Sequence, residues 1–160
     1  MRLLILLLIS TLTINAQEMK TANETISELF VASDNRDWQT VEAIFAEQVV
    51  LDYSSMNGNP AVIVTPKQIT ETWKTVLPGF TYTHHQVGNF ISSEDENITS
   101  VFCYGTATHY LKSDNDNIWT VVGSYNFELV KENNAYRVTK MTFNYKYQDG
   151  NLELPKLAME

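Results

Sequence analysis

Apolar positions recur with a helical period in the first half of the chain and with a period of two in the second. From Thr21 to about Asn35, Ala22, Ile26, Leu29 and Phe30 fall on one helical face. Asp37 then caps a short second helix whose inner face is Trp38, Val41, Ile44 and Phe45. A third helix has the clearest boundaries: Thr65 as N-cap, Pro66 at the first helical position and Gln68 completing a capping box. Its stripe is Ile69, Trp73, Val76 and Leu77, and Pro78-Gly79 ends it. Val49 to Ser54 reads as a short strand between the second and third helices.

After Gly79 four long strands follow, over Thr81–Ser92, Thr99–Lys112, Ile118–Lys131 and Ala135–Tyr147. Short polar turns join them, which predicts an antiparallel meander. Helices grouped before a run of strands indicate an α+β domain with helices on one sheet face. Periodicity alone leaves open whether that sheet is flat over a filled core or bent around a cavity.

Alternation sorts the polar candidates onto faces. Val101, Cys103, Gly105, Ala107 and His109 share one face, and the small residues leave room beside the imidazole, as a pocket wall does. Gly105 could equally mark a bulge, with His109 merely near a strand end. Ser124 and Asn126 share a face with Val122 and need partners when buried: a ligand, a water or a neighbouring side chain. On the first long strand His85, Val87, Asn89 and Ile91 form one face, and Tyr82, His84, Gln86 and Phe90 the other. Val87 and Ile91 assign the covered side to His85 and leave His84 at the surface.

Composition narrows the class. The 160 residues suit one domain, and three Trp, eight Tyr and seven Phe exclude a disordered chain. Residues 1–16 read as a signal peptide, with Arg2, an apolar stretch from Leu3 to Ile14, and Ala16 before the cleavage point. The expected organisation is therefore a leader over 1–16, a domain over 17–147 and a tail over 148–160, exported to the periplasm or secreted. Without the leader, ten basic residues face nineteen acidic ones, a formal charge of −9. That charge excludes nucleic acid as a partner. No later stretch is long enough to span a membrane. Cys103, the lone cysteine, fits a buried inert thiol. Adjacent His84 and His85 point apart on a strand, so no metal site is expected, and neither a nucleophile elbow nor a phosphate loop appears.

Several segments recur in a familiar order: Ser33-Asp34-Asn35-Arg36-Asp37-Trp38, Leu51-Asp52-Tyr53, His85-Gln86-Val87-Gly88-Asn89, Thr108-His109-Tyr110 and Ser124-Tyr125-Asn126. In this order the chain, from about Glu28 to Lys146, resembles the SnoaL-like branch of the nuclear transport factor 2-like superfamily, and within it the scytalone dehydratases. The resemblance implies a cone: a curved antiparallel sheet and three N-terminal helices enclosing one pocket. It also implies an Asp–His pair with a second His, tyrosines and a Ser/Asn pair around a cyclic hydroxyketone that loses water.

Carried over residue by residue, Asp34 orients His109, which transfers protons, and His85 with Tyr53 polarises the carbonyl. The two histidines can exchange these roles. Ser124 and Asn126 hold the substrate, with Asn89 and Trp73 as further contacts. One position departs, because Ser33 stands where those enzymes carry a second tyrosine. No cofactor is implied. A small-molecule ligand and a homo-oligomer, dimer or trimer, are the implied partners. Three functions follow as expectations: a cofactor-independent dehydratase or isomerase, a non-catalytic binder of an apolar ligand, or a dimerising accessory domain.

Overall fold

The computed structural model describes residues 19–112 and 117–159, so the leader expected over 1–16 lies outside the described residues. Helix α1 runs Ala22–Asp34 and starts on a capping box, in which Thr21 accepts from the Glu24 backbone and Glu24 returns to Thr21. Its buried face is Ile26, Leu29 and Phe30, extended by Ser33 at the last turn. Asp37 caps α2, Trp38–Ile44, by accepting from the Thr40 N–H. Phe45 does not continue that helix. It turns extended and opens strand β1, Phe45–Asp52, four residues before the strand start expected at Val49. Burial of Phe45, Ala46 and Val49 against the sheet outweighs the helical spacing of a seven-residue helix, which is too short to be stable by itself.

One turn of helix, α3, follows at Ser54–Asn57. The β-branched run Val62–Val64 then forms β2, which pairs antiparallel with β1. This strand has no counterpart in the expected elements. α4 spans Pro66–Lys74 behind the expected Thr65–Gln68 capping box. The chain then tightens into a 3₁₀ turn over Leu77–Gly79.

Strands β3 (Tyr82–Asp95), β4 (Ile98–Tyr110), β5 (Ile118–Glu132) and β6 (Ala135–Gly150) form the meander. The six strands lie in the order β2-β1-β6-β5-β4-β3, all neighbours antiparallel except β1 with β6. The sheet is curved and does not close. Register shifts between Gly88 and Ile91, Val122 and Gly123, and Glu128 and Leu129 supply local bends. Its inner face, with Val101, Cys103, Val121, Phe127, Leu129, Val138 and Met141 buried, packs against α1, α2 and α4.

The chain end docks onto this core. A final turn, α5 (Leu154–Leu157), buries Leu154 completely, and Asn151 donates to the Ile118 carbonyl. Gly79 makes the close approach possible, since a Cβ there would lie 1.7 Å from the Ala158 carbonyl oxygen. Leu154→Ala is expected to cost about 2–5 kcal/mol of unfolding free energy. Leu157→Ala, at an exposed position, should stay within about 0.5 kcal/mol. Urea unfolding of the two variants checks this, and equal midpoints would show that the terminal segment is not part of the core.

Candidate functional site

Asp34 is the last residue of α1, and that helix end lies against β3. One carboxylate oxygen accepts from the His85 backbone N–H at 2.7 Å. The other meets His85 Nδ1 at 2.7 Å. A carboxylate is acceptor-only, so Nδ1 carries the proton and Nε2 is the imidazole's basic nitrogen. The His85 ring also stacks on Phe30, with centroids 5.4 Å apart. Burial acts to raise the Asp34 carboxyl, but the bonds and charge of His85 outweigh it and hold the group below its ordinary value.

The aspartate's partner is thus His85 rather than the expected His109. Register gives the reason: His109 pairs with Thr83 across β3–β4, one strand farther from the end of α1. His109 is nevertheless on the same sheet face, with its ring centroid 5.7 Å from that of His85. It sits in an aromatic cage, with Trp119 at 4.4 Å and Phe80 at 4.8 Å. Its Nδ1 is buried without a hydrogen-bond partner among the described residues. Burial first, and the neighbouring His85 second, lower its pKa to about 4, so it is neutral at pH 7.

His85 forms one wall of a chamber of about 110 Å³ between the sheet and the helices. Phe30 and Ser33 from α1, Trp73 from α4, Leu77, Tyr53 after β1, and Tyr125 from β5 complete the lining. Tyr53 and Trp73 also border a wider groove of about 740 Å³ along β2 and α4, lined with Asn57, Asn59, Gln68, Thr72 and Glu71. Ser33 Oγ is committed to the Leu29 carbonyl at 2.7 Å. Burial pushes the Tyr53 phenol well up, and it does the same to Tyr125. Both are neutral hydrogen-bond donors at physiological pH.

Three expected contacts are elsewhere. Ser124 and Asn126 face the outer side of the sheet, where Asn126 Oδ1 accepts from Asn144 at 2.7 Å. The inner positions of β5 are Val121, Tyr125, Phe127 and Leu129, so the middle residue of Ser124-Tyr125-Asn126 is the one in the chamber. Parity with those apolar neighbours was the signal for this. Asn89 is exposed in the β3 bulge, with φ 55°. The extra residue there reverses the face: Phe90 packs on the core, and Ile91, expected inside, is 68% exposed. Trp73, Tyr53 and His85 share the chamber, while His109 lies behind His85.

The chain belongs to the SnoaL-like domain family, whose profile matches residues 17–142. Among solved structures, Kfla4162 from Kribbella flavida is similar at 20% identity and TM-score 0.78, over 84% of this chain and 93% of that one. A protein from Novosphingobium aromaticivorans, provisionally assigned as a scytalone dehydratase, is 17% identical at TM-score 0.65, over 79% of this chain and 83% of its own. The LinA type 3 hexachlorocyclohexane dehydrochlorinase of Novosphingobium barchaimii is 12% identical at TM-score 0.67, over 81% and 87%. At these identities the likeness establishes the fold. No curated protein matches the chain significantly.

The buried neutral His109 has a measurable consequence. Its pKa is about 4 folded and 6.5 in the reference state, so between those values the unfolded chain binds more protons. Stability is therefore full above about pH 6.5 and falls as the pH drops toward 4, by about 3 kcal/mol. Asp34, held below 3.8, removes further stability at still lower pH. Urea midpoints for wild type and His109→Phe across pH 4–7 test this, and the variant should flatten the slope. An unchanged slope would place the titrating group elsewhere.

Proposed function

We propose that this chain is a cofactor-independent lyase or isomerase, with Asp34-oriented His85 acting as acid and base on a small cyclic carbonyl compound. The observation that carries the reading is the Asp34–His85 bond at 2.7 Å on the wall of a small chamber that is also lined by a neutral tyrosine. An aspartate on Nδ1 fixes the tautomer and stabilises the imidazolium that forms at Nε2. His85 Nε2 removes the proton from the carbon beside the carbonyl, and Tyr53 donates to the oxygen as the enolate develops.

The same imidazolium then returns its proton to the departing hydroxyl, which leaves as water. One group serving both steps means loss of proton and hydroxyl from one face of the ring. His109, neutral and caged, supports the position of His85 and takes no proton at working pH. Among solved structures of this fold, one is provisionally assigned as a scytalone dehydratase and one is named a dehydrochlorinase; both names denote eliminations, which supports the class. Export through residues 1–16 and assembly through the outer sheet face, where Tyr82, Ile91 and Tyr104 are exposed, belong to the same proposal. The alternative is a non-catalytic binder. It is favoured by the mostly apolar lining and by Ser33, which offers the chamber no free donor.

A panel of small cyclic β-hydroxyketones, followed by the absorbance of the conjugated product, tests the reading. Removing the base should lower kcat/KM by about 10²–10⁴-fold in His85→Gln, with Asp34→Asn falling in the same direction and KM changing less than kcat. Equal turnover by wild type and His85→Gln, or none by wild type across the panel, would leave the binder reading.

A further inference from the structure

We propose that Thr83 is a positioning residue of this site: its hydroxyl donates to the Asp34 carboxylate and accepts from His109 Nδ1, so that one aspartate holds both imidazoles. Its benefit to proton transfer rests on the reaction proposed above, whereas the link itself does not. Thr83 Oγ1 and His109 Nδ1 are the two buried side-chain polar atoms that have no hydrogen-bond partner among the described residues. A buried donor or acceptor left unpaired is costly, and one bond between these two removes both penalties. Both atoms are shut off from solvent, so the partner of each has to be a side chain.

The register makes them neighbours, since Thr83 pairs with His109 across β3 and β4. Half-buried Thr83, His85 and Val87 alternate with exposed Tyr82, His84 and Gln86, so Thr83 shares the inner sheet face with His85. The His85 backbone N–H goes to Asp34 and not to β4. Thr83, two residues earlier, has the same backbone direction, which makes Thr83 and His109 a pair without mutual backbone bonds. Side chains approach most closely in such pairs, with Cβ atoms about 4.5–5.5 Å apart, within reach of a hydroxyl and a ring nitrogen. Asp34 completes the corner: Asp34, Thr83 and His85 border one surface groove of about 340 Å³. Burial acts to raise the Asp34 carboxyl, while His85 first and then the Thr83 hydroxyl lower it. That hydroxyl acts from outside bonding geometry, and the link closes it. Valence sets the direction. A carboxylate only accepts and a hydroxyl has one proton to give, so the Thr83 proton goes to Asp34 and its oxygen is left for an N–H of His109.

Nitrogen NMR of the histidine rings tests the link without turnover. In nitrogen-15-labelled protein at pH 7, the His109 ring, assigned by its loss in His109→Phe, should carry its proton on Nδ1 and leave Nε2 bare. Thr83→Val removes the hydroxyl and keeps a β-branched side chain, and it should shift the His109 Nδ1 signal. Thr83→Ser returns the hydroxyl and should restore the wild-type position, which a threonine that only packs would not require. With a hydroxyketone that wild type turns over, Thr83→Val should lower kcat about tenfold with KM little changed, and Thr83→Ser should recover it. The proposal is overturned by a bare Nδ1 in wild type, by a His109 signal that Thr83→Val leaves in place, or by an unchanged kcat in that variant. Ring signals that respond as expected, with no turnover of any hydroxyketone, remove the lyase reading and keep the link.

Discussion

The pair of hydrogen bonds from Asp34 to the ring and the backbone of His85 is the interaction on which the site depends. It joins the last residue of the first helix to the edge strand of the sheet, so it sets where α1 crosses β3 and which ring nitrogen carries the proton. A carboxylate taken partly out of water is tolerated only when paired, and here both oxygens are used. Arg36 reinforces the same corner. In a left-handed conformation (φ 58°), it spans from the Asp34 carbonyl to the Leu77 and Phe80 carbonyls, tying the helix end to the turn that roofs the chamber.

Around that corner the molecule spends its aromatic residues in two ways. Phe30, Tyr125, Phe143 and Tyr53 form one connected set that borders the chamber, while Phe80, Trp119 and His109 form a second that fills the space behind it. The docked terminal segment adds Leu154 and Ala158 to the same core and lies against Gly79. Two histidines within 5.7 Å therefore have opposite environments. One is paired to a carboxylate and borders the chamber. The other is buried and driven neutral, so only the first suits proton transfer.

Much of the frame was legible in the chain. The capping boxes at Thr21 and Thr65, the Asp37 cap and the four long alternating strands are local features, set by which side chains can satisfy free backbone groups and by a two-residue period. Where a seven-residue helix met a strand, at Phe45, local spacing misled, because sheet burial competes with helix at so short a length. β2 escaped notice because three residues carry too little pattern.

The site was less legible than the fold. Asp34, Tyr53, Trp73 and His85 could be picked out one by one, but not that Asp34 meets His85 rather than His109, nor that Tyr125 rather than Ser124 and Asn126 turns inward. Each of those outcomes depends on register between strands and on a bulge that shifts parity by one residue, as at Asn89, where Phe90 and Ile91 exchange faces. The sequence by itself determined the elements, the apolar faces and the residue types available for acid–base chemistry. Only the tertiary structure decided which of them share a chamber, because a one-residue change of register costs little locally yet sends every following side chain to the other side of the sheet.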